Sequence, residues 1–395
     1  MLRSQSGGST ETVAQTQAAT EAAILVAVRI RPFSAKEEAQ LEQPDERQYV
    51  PTASNFMHYA EAARSSGKTL RKVVHAIDEH VLVFDPADEN DTGGRAVPMG
   101  ASNKRHKDMR FAFDRVYDET STQQDVYQGT TKGLLDAVLG GFNATVFAYG
   151  ATGCGKTFTI TGSESDPGVV VLAMQELFER IGKSDNEVEV TVSYLEVYNE
   201  TIRDLLGDGR ALALRDDARQ SVTVAGLSAH RPENAQAVMQ LLARGNKNRT
   251  MSATAANAVS SRSHAVLQVQ VRQTPRGGSG LATHVMAATL SIIDLAGSER
   301  ATVAQGKRVR EGANINRSLL ALANCINALS DKRQRHVPYR DSKLTRLLKF
   351  ALAGNSRTAM ITCVSPSSVY YEETHNTLKY ADRAKRIATH VQRNT

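Results

Sequence analysis

The sequence predicts an α/β protein with a central, mostly parallel sheet flanked by helices on both faces. Three observations predict it. Short apolar runs of strand composition alternate with amphipathic helical segments along the chain. The apolar run ATVFAY, 144–149, enters a glycine-rich turn that leads into helix-compatible residues. A second apolar run, LSIID at 290–294, ends on an acid and is followed by Gly297. No internal repeat and no sustained heptad array interrupts the pattern, so 24–386 reads as one large domain after a polar, mobile tail over 1–23.

Taken in order, ILVAVRI at 24–30 is a buried strand, and Arg31, Pro32 and Phe33 end it, since proline cannot donate to a ladder. A polar stretch over 36–70 is a surface insertion. Residues 72–85 give two short strands with a turn near Asp78. Pro86 to Lys107 is a second long loop, polar and glycine-containing. A strand at 109–113 and a helix at 121–139 precede the 144–149 strand, and further strands fall near 187–197, 264–273 and 288–294. Ile315, Leu319, Leu322, Ile326 and Leu329 are spaced by four, three, four and three, which makes one helical face over 314–330. A helix follows at about 341–350 with Asp341 or Ser342 as N-cap, then a strand at 358–365 and a helix at 370–386.

Composition narrows the function. The chain has 395 residues, 41% hydrophobic and 23% charged, within the range of soluble globular proteins. No run approaches the ~18 apolar residues of a membrane helix, and the first residues lack the apolar core of a secretory signal. Cys154, Cys325 and Cys363 are far apart and odd in number, which argues against a disulfide framework or a zinc site and for a reducing compartment. The net charge is +6, and residues 305–350 hold eleven Lys or Arg against three acids. The basic character is therefore a local patch, suited to an acidic partner.

The turn at 150–157 reads Gly-Ala-Thr-Gly-Cys-Gly-Lys-Thr, which fits GxxxxGK[ST]. Glycines let the backbone N–H groups wrap a phosphate, Lys156 reaches the β- and γ-phosphates, and the Thr157 hydroxyl binds Mg²⁺. Asp294 is placed to hold Mg²⁺ through water, and the Gly297 N–H to sense the γ-phosphate. NAVSSRSH at 257–264 supplies the hydroxyls that a metal and a lytic water need; its His264 reads as a structural hydrogen bonder rather than a base.

Together these segments resemble the kinesin motor domain over about 24–390. The phosphate loop YGATGCGKT, the first switch NAVSSRSH, the second switch DLAGSE, the basic HVPYRDSKLTRLL and the acidic-aromatic YLEVYNETIRDLL occur in the family's order. The resemblance implies an ATPase that uses ATP and Mg²⁺. At matching positions, Gly150, Ala151, Thr152, Gly153, Cys154, Gly155, Lys156 and Thr157 hold the phosphates. Ser261 joins Thr157 on Mg²⁺, Ser260 positions the attacking water, and Arg262 and Glu299 form the salt bridge that closes the switches. Arg29, Arg31 and Pro32 match the family's RxRP strand end, with Pro32 on the adenine and Phe158 stacked opposite, where many members have His.

The basic patch then faces acidic tubulin through Lys307, Arg310, His336, Arg340, Lys343 and Arg346. KVVHAIDEHVLVFDP, VYDETSTQQDVYQGTTKG and YGATGCGKT look like the kinesin-8 branch, which implies plus-end direction and microtubule depolymerisation there. Lys104, Arg105 and Lys107 of the long loop would add a tubulin contact. The resemblance implies cytoplasmic, cytoskeletal and spindle placement, no nucleic-acid or membrane partner, and a dimeric full-length chain of which this monomeric stretch is the motor, with 387–395 starting a neck linker. Two other readings compete. A P-loop enzyme acting on nucleic acid would interleave its basic residues with stacking aromatics, and 305–350 holds only Tyr339 and Phe350. A catalytically silent tubulin-binding module would lack Lys156, Arg262 or Glu299, and all three are present.

Overall fold

Alternating side chains divide the core between the two faces of one large sheet. The computed structural model of the chain describes residues 20–41, 70–86, 108–216, 222–251, 261–276, 285–299, 307–331, 333–334 and 336–394, with the backbone alone at 20–21, 250–251 and 307–316. In chain order the strands are β1 (Thr20–Ala23), β2 (Leu25–Ile30), β3 (Val74–Ala76), β4 (Val81–Phe84), β5 (Met109–Ala112), β6 (Arg115–Tyr117), β7 (Ala144–Tyr149), β8 (Asn186–Tyr198), β9 (Thr201–Asp204), β10 (Ala211–Asp216), β11 (Val222–Ala225), β12 (Ser263–Pro275), β13 (Met286–Asp294), β14 (Arg357–Val364) and β15 (Ala388–Val391). Ten of them form a sheet in the order β11-β10-β9-β8-β12-β13-β7-β14-β2-β6.

The half of the sheet that carries the phosphate loop is parallel, as expected: β13 with β7, β7 with β14, β14 with β2, and β2 with β6. The ladders from β13 outward to β11 are antiparallel. One of these pairs, β8 with β9, has the shortest connection an antiparallel ladder permits, two residues. Asn199 and Glu200 join β8 to β9 with φ of 50° and 58°, the left-handed pair of a tight hairpin.

The helices are α1 (Ala35–Leu41), α2 (Gln123–Val126), α3 (Lys132–Leu139), α4 (Lys156–Ile160), α5 (Val169–Gly182), α6 (Ala235–Met251), α7 (Lys307–Ser330), α8 (Lys343–Leu347), α9 (Lys349–Ala353) and α10 (Tyr371–Ala384). On β7, Phe147 and Tyr149 join one apolar cluster and Val146 and Ala148 the other. The first cluster takes Leu319, Leu322 and Ile326 of α7 and Leu378 of α10. The second takes Leu134 and Val138 of α3, Met174 and Leu177 of α5, and Val238 of α6. Helices thus cover both faces, as the strand pattern requires. Leu322 is fully buried, and its truncation to alanine costs about 2–5 kcal/mol. No described helix is long and apolar enough to cross a membrane.

Several elements depart from the sequence expectation. The helix over 121–139 starts at Gln123, where Thr122 and Asp125 form a reciprocal capping box. It is widened to a π-helix over Tyr127–Thr131; there Gly129 lies so close to Tyr117 that an added Cβ would sit 2.0 Å from the hydroxyl. The helix from 314 begins at Lys307 instead, because its first two turns are polar and carry no apolar stripe. The segment 341–350 is a 3₁₀ turn, Tyr339–Asp341, followed by α8 and α9. Of the two candidate caps, Ser342 is the one that closes a capping box, with Thr345.

Thr20–Ala23, placed by sequence in the polar tail, form β1 and pair antiparallel with β15, Thr20 opposite Val391 and Ala23 opposite Ala388. A four-residue strand, Thr-Glu-Ala-Ala, has too little alternation to announce itself. A small sheet β3-β4-β5 stands apart from the large one. Its first turn is the one expected near Asp78, whose carboxylate accepts from the backbone N–H groups of His80 and Val81 at 2.7 and 2.8 Å. Residues 1–19, 42–69 and 87–107 lie outside the described residues.

Candidate active site

The phosphate loop is shaped by contacts that exclude side chains. Gly150 leaves β7 with φ 149°, and an added Cβ would sit 2.1 Å from the Cys363 carbonyl oxygen on β14. Gly153 and Gly155 are left-handed, at φ 80° and 93°, which turns successive N–H groups toward one concavity at the start of α4. Lys156 is buried and its Nζ donates to the Ala151 carbonyl at 2.9 Å. The Thr157 hydroxyl donates to Asp294 Oδ2 at 2.8 Å. Asp294 Oδ1 is buried with no hydrogen-bond partner among the described residues. A buried carboxylate oxygen lacking a donor, beside a hydroxyl and a glycine cradle, fits a Mg²⁺–nucleotide. Residues far apart in sequence meet here because β7 and β13 are parallel neighbours, Asp294 opposite Ala148.

The two switch segments touch through backbone. Gly297 donates its N–H to the Ser261 carbonyl at 2.9 Å, and Ser298 donates to the Gly150 carbonyl at 3.0 Å. A Cβ on Gly297 would fall 2.2 Å from Thr152 Oγ1. Both Glu299 oxygens accept from Thr152, from its N–H at 2.8 Å and its hydroxyl at 2.5 Å. Thr152 presents two donors at the loop tip, and these satisfy the carboxylate. Ser260 lies outside the described residues.

Two buried residues extend the site. His264, read as a structural hydrogen bonder, accepts the Ala296 N–H on Nδ1 at 3.0 Å. That leaves Nε2 as the donor to the Ser318 hydroxyl of α7, at 2.8 Å. Burial, reinforced by the Arg249 and Lys156 charges, pushes the His264 pKa down to about 3. It is therefore neutral, as this donor–acceptor pattern needs. Arg249 of α6, which sequence reasoning missed, lies 3.6 Å from Asp294 Oδ2 and 3.7 Å from Glu196 Oε1. It also donates to the Ser263 hydroxyl and carbonyl at 3.0 and 2.8 Å. One arginine at the end of a helix carries no signal until docking places it.

At the base side, Pro32 and Phe158 are exposed, Phe158 at 44%. An exposed phenyl ring on a phosphate-loop helix is a surface a base can cover. Arg29 is turned inward. It donates to Gln123 Oε1 at 2.7 Å and Thr159 Oγ1 at 3.0 Å, and its guanidinium stacks on Phe158, 5.3 Å from the ring centre. It props the Phe158 ring. Gln123, also missed, donates to the Phe158 carbonyl at 2.7 Å. Arg31 grips Glu37 with both amino groups, at 2.7 and 2.9 Å. That pairing, with donation from Ser34, holds the Glu37 carboxyl well below the usual range, at about 2. Cys154 is buried in the loop, and burial lifts its thiol to about 11.

On the basic face, Lys307 and Arg310 lie in α7, whose backbone alone is described there. His336 and Arg340 are exposed, and Lys343 and Arg346 are half-buried. Arg346 is not an unpaired cation: it meets Asp216 at 3.0 Å. Lys343 opens α8 with its N–H on Glu200 Oε2, at 2.9 Å. Lys104, Arg105 and Lys107 lie outside the described residues.

A model of the kinesin motor domain matches residues 29–387. The chain belongs to the kinesin motor family. Kinesin-like protein 6 of Schizosaccharomyces pombe is 52% identical over 94% of this chain and 50% of its own length. Kinesin-like protein KIP3 of Saccharomyces cerevisiae is 45% identical over 95% of this chain and 54% of its own length. KIP3 is a kinesin-8 member, the branch the sequence resembles. A solved structure described as a fast kinesin superposes with TM-score 0.76 at 33% identity, covering 94% of both chains. This kinesin spans about half the length of the curated relatives it matches.

Proposed function

We propose that this kinesin motor domain hydrolyses ATP to ADP and phosphate to move on microtubules, toward the plus end, and that it promotes depolymerisation there. The observation that carries the reading is the buried connection from the phosphate loop to α7. Ser261 and Gly297 are joined by a backbone hydrogen bond, Ala296 is held by His264, and His264 holds Ser318. A rearrangement around the γ-phosphate thus has a short mechanical path to the helix that opens the basic face.

Thr157, Ser261 and Asp294 would hold Mg²⁺, which neutralises charge on the β- and γ-phosphate oxygens. Lys156 would give up the Ala151 carbonyl for the phosphates. The Gly297 N–H would exchange the Ser261 carbonyl for the γ-phosphate. Glu299 would pair with Arg262, closing the switches around a water that Ser260 orients. Little covalent chemistry is asked of the protein; positioning and charge do the work. Lys307, Arg310, His336, Arg340, Lys343 and Arg346 would meet acidic tubulin, with Lys104, Arg105 and Lys107 adding a contact. Residues 387–395 would begin the neck linker of a full-length dimer that works on spindle microtubules in the cytoplasm.

The test measures ATP turnover with and without microtubules, alongside the shrinkage of stabilised microtubules. Turnover that microtubules raise, with shrinkage from the ends, supports the whole reading. Stimulated turnover without shrinkage keeps the motor and removes the depolymerase. Turnover indifferent to microtubules removes both.

A further inference from the structure

The base-binding arm and the phosphate loop are spanned by a residue from a third element. Tyr370 ends the 3₁₀ turn Ser368–Tyr370, immediately before α10. Its ring lies against the Arg31 guanidinium, 5.6 Å from centroid to Cζ. Its hydroxyl reaches the loop: it would be 3.4 Å from a Cβ on Gly153. One aromatic side chain therefore lies against Arg31, next to Pro32, and stands beside the tip of the phosphate loop.

Arg31 is built to receive it. Its two amino groups are taken by Glu37 and by the Pro32 carbonyl, at 2.7 to 2.9 Å. Its Nε is buried without a hydrogen-bond partner among the described residues. The contact left to it is the face of its plane, and Tyr370 covers that face. The tyrosine itself is fixed from both sides. Its N–H donates to the Ser367 carbonyl at 3.0 Å, and the Ser368 N–H donates to the Arg71 carbonyl at 2.9 Å. The next residue, Tyr371, donates its hydroxyl to Asp85 Oδ2 at 2.7 Å.

We infer that Tyr370 is a positioning residue for the nucleotide, holding the Arg31–Pro32 arm against the phosphate loop and so setting how fast the nucleotide leaves. α10 follows directly and runs to Ala384, four residues before β15. Nucleotide departure is then tied to the position of the helix that delivers β15. The inference rests on the reading that this cleft binds ATP and ADP, and it adds a residue from outside the nucleotide motifs.

The experiment loads the protein with a fluorescent N-methylanthraniloyl ADP and chases it with excess ATP. Tyr370→Ala should release the label about three- to tenfold faster than the parent, the range of a lost cation–π contact. Tyr370→Phe keeps the ring on Arg31 but loses the hydroxyl that reaches the loop, and should release at a rate between those of the parent and Tyr370→Ala. Tyr371→Phe loosens the same junction at Asp85 without touching Arg31, and should release at the parental rate. Parental release in Tyr370→Ala, release in Tyr370→Phe faster than in Tyr370→Ala, or release in Tyr371→Phe as fast as in Tyr370→Ala each overturns the inference. A parent that binds no labelled ADP overturns the ATPase reading as well, whereas a parent that binds it while Tyr370→Ala releases normally overturns the inference alone.

Discussion

His264 Nε2 and Ser318 Oγ meet at 2.8 Å across 54 residues of chain. The same imidazole accepts the Ala296 N–H, one residue before the glycine assigned to the γ-phosphate. Ser318→Ala leaves a buried donor unpaired, at about 1–3 kcal/mol. The expected result is a loss of microtubule stimulation of several-fold, larger than the change in turnover without microtubules. Steady-state ATPase across a microtubule titration measures both. Equal losses would make the contact merely structural.

His264 also brings a pH dependence. Its pKa is about 3 in the folded chain, against about 6.5 unfolded. Between these values the unfolded chain binds the additional proton, so stability rises with pH and is lost as pH falls below about 6.5. Integrated from pH 7 to pH 5.5, the contribution is about 1 kcal/mol. Urea unfolding of His264→Gln should show a difference between those two pH values that is smaller than the parent's by that amount. An identical difference would mean the buried imidazole is charged.

Both Glu299 oxygens accept from Thr152, and the role proposed for Glu299 is to pair with Arg262 and close the switches. Glu299→Ala should therefore bind ATP yet turn it over ~100-fold more slowly, the scale of a misplaced reacting group. Nucleotide binding and phosphate release, measured side by side, separate the two steps. Unchanged turnover would remove the switch bridge from the mechanism.

Microtubule affinity should fall steeply with salt, because the patch acts through screened charges. Its members are not equal. Arg346 already meets Asp216, whereas Arg340 is exposed. Arg340→Ala should raise the microtubule concentration for half-maximal ATPase by about two- to fivefold, and Arg346→Ala by less. Asp216→Asn should lower that concentration by freeing Arg346. Salt-insensitive binding would make the contact mainly apolar.

Gly150→Ala should abolish nucleotide binding. The added methyl meets the Cys363 carbonyl at 2.1 Å, so β7 and β14 would have to part. Titration with labelled ADP, with circular dichroism as the control on folding, checks this.

The phosphate loop and Asp294 were legible because each is contiguous: glycines, Lys156 and Thr157 in one run, an apolar strand and its acid in another. The parallel pairing of β7 and β13 then brings the runs together. Arg249, Gln123 and Tyr370 were not legible. Each is a single polar or aromatic residue whose partner lies on another element, and spacing along the chain holds no trace of that docking. The seven residues of α7 before 314 escaped for a different reason. A polar helix turn has no apolar stripe, so periodicity is silent about it. The Thr152 donors to Glu299 were not legible either, because the two residues lie 147 positions apart and meet only where the phosphate loop packs on the second switch.

All three cysteines of the chain are buried. Burial raises the thiols of Cys154 and Cys325 to about 11 and 12, and that of Cys363 upward as well. Maleimides attack the thiolate, so the native protein offers them almost nothing. A cysteine introduced on the surface, such as Lys183→Cys at the end of α5, would take up dye alone. The motor is thus ready for single-site fluorescence without first removing its own sulfurs, and any slow background labelling would time the opening of the fold itself.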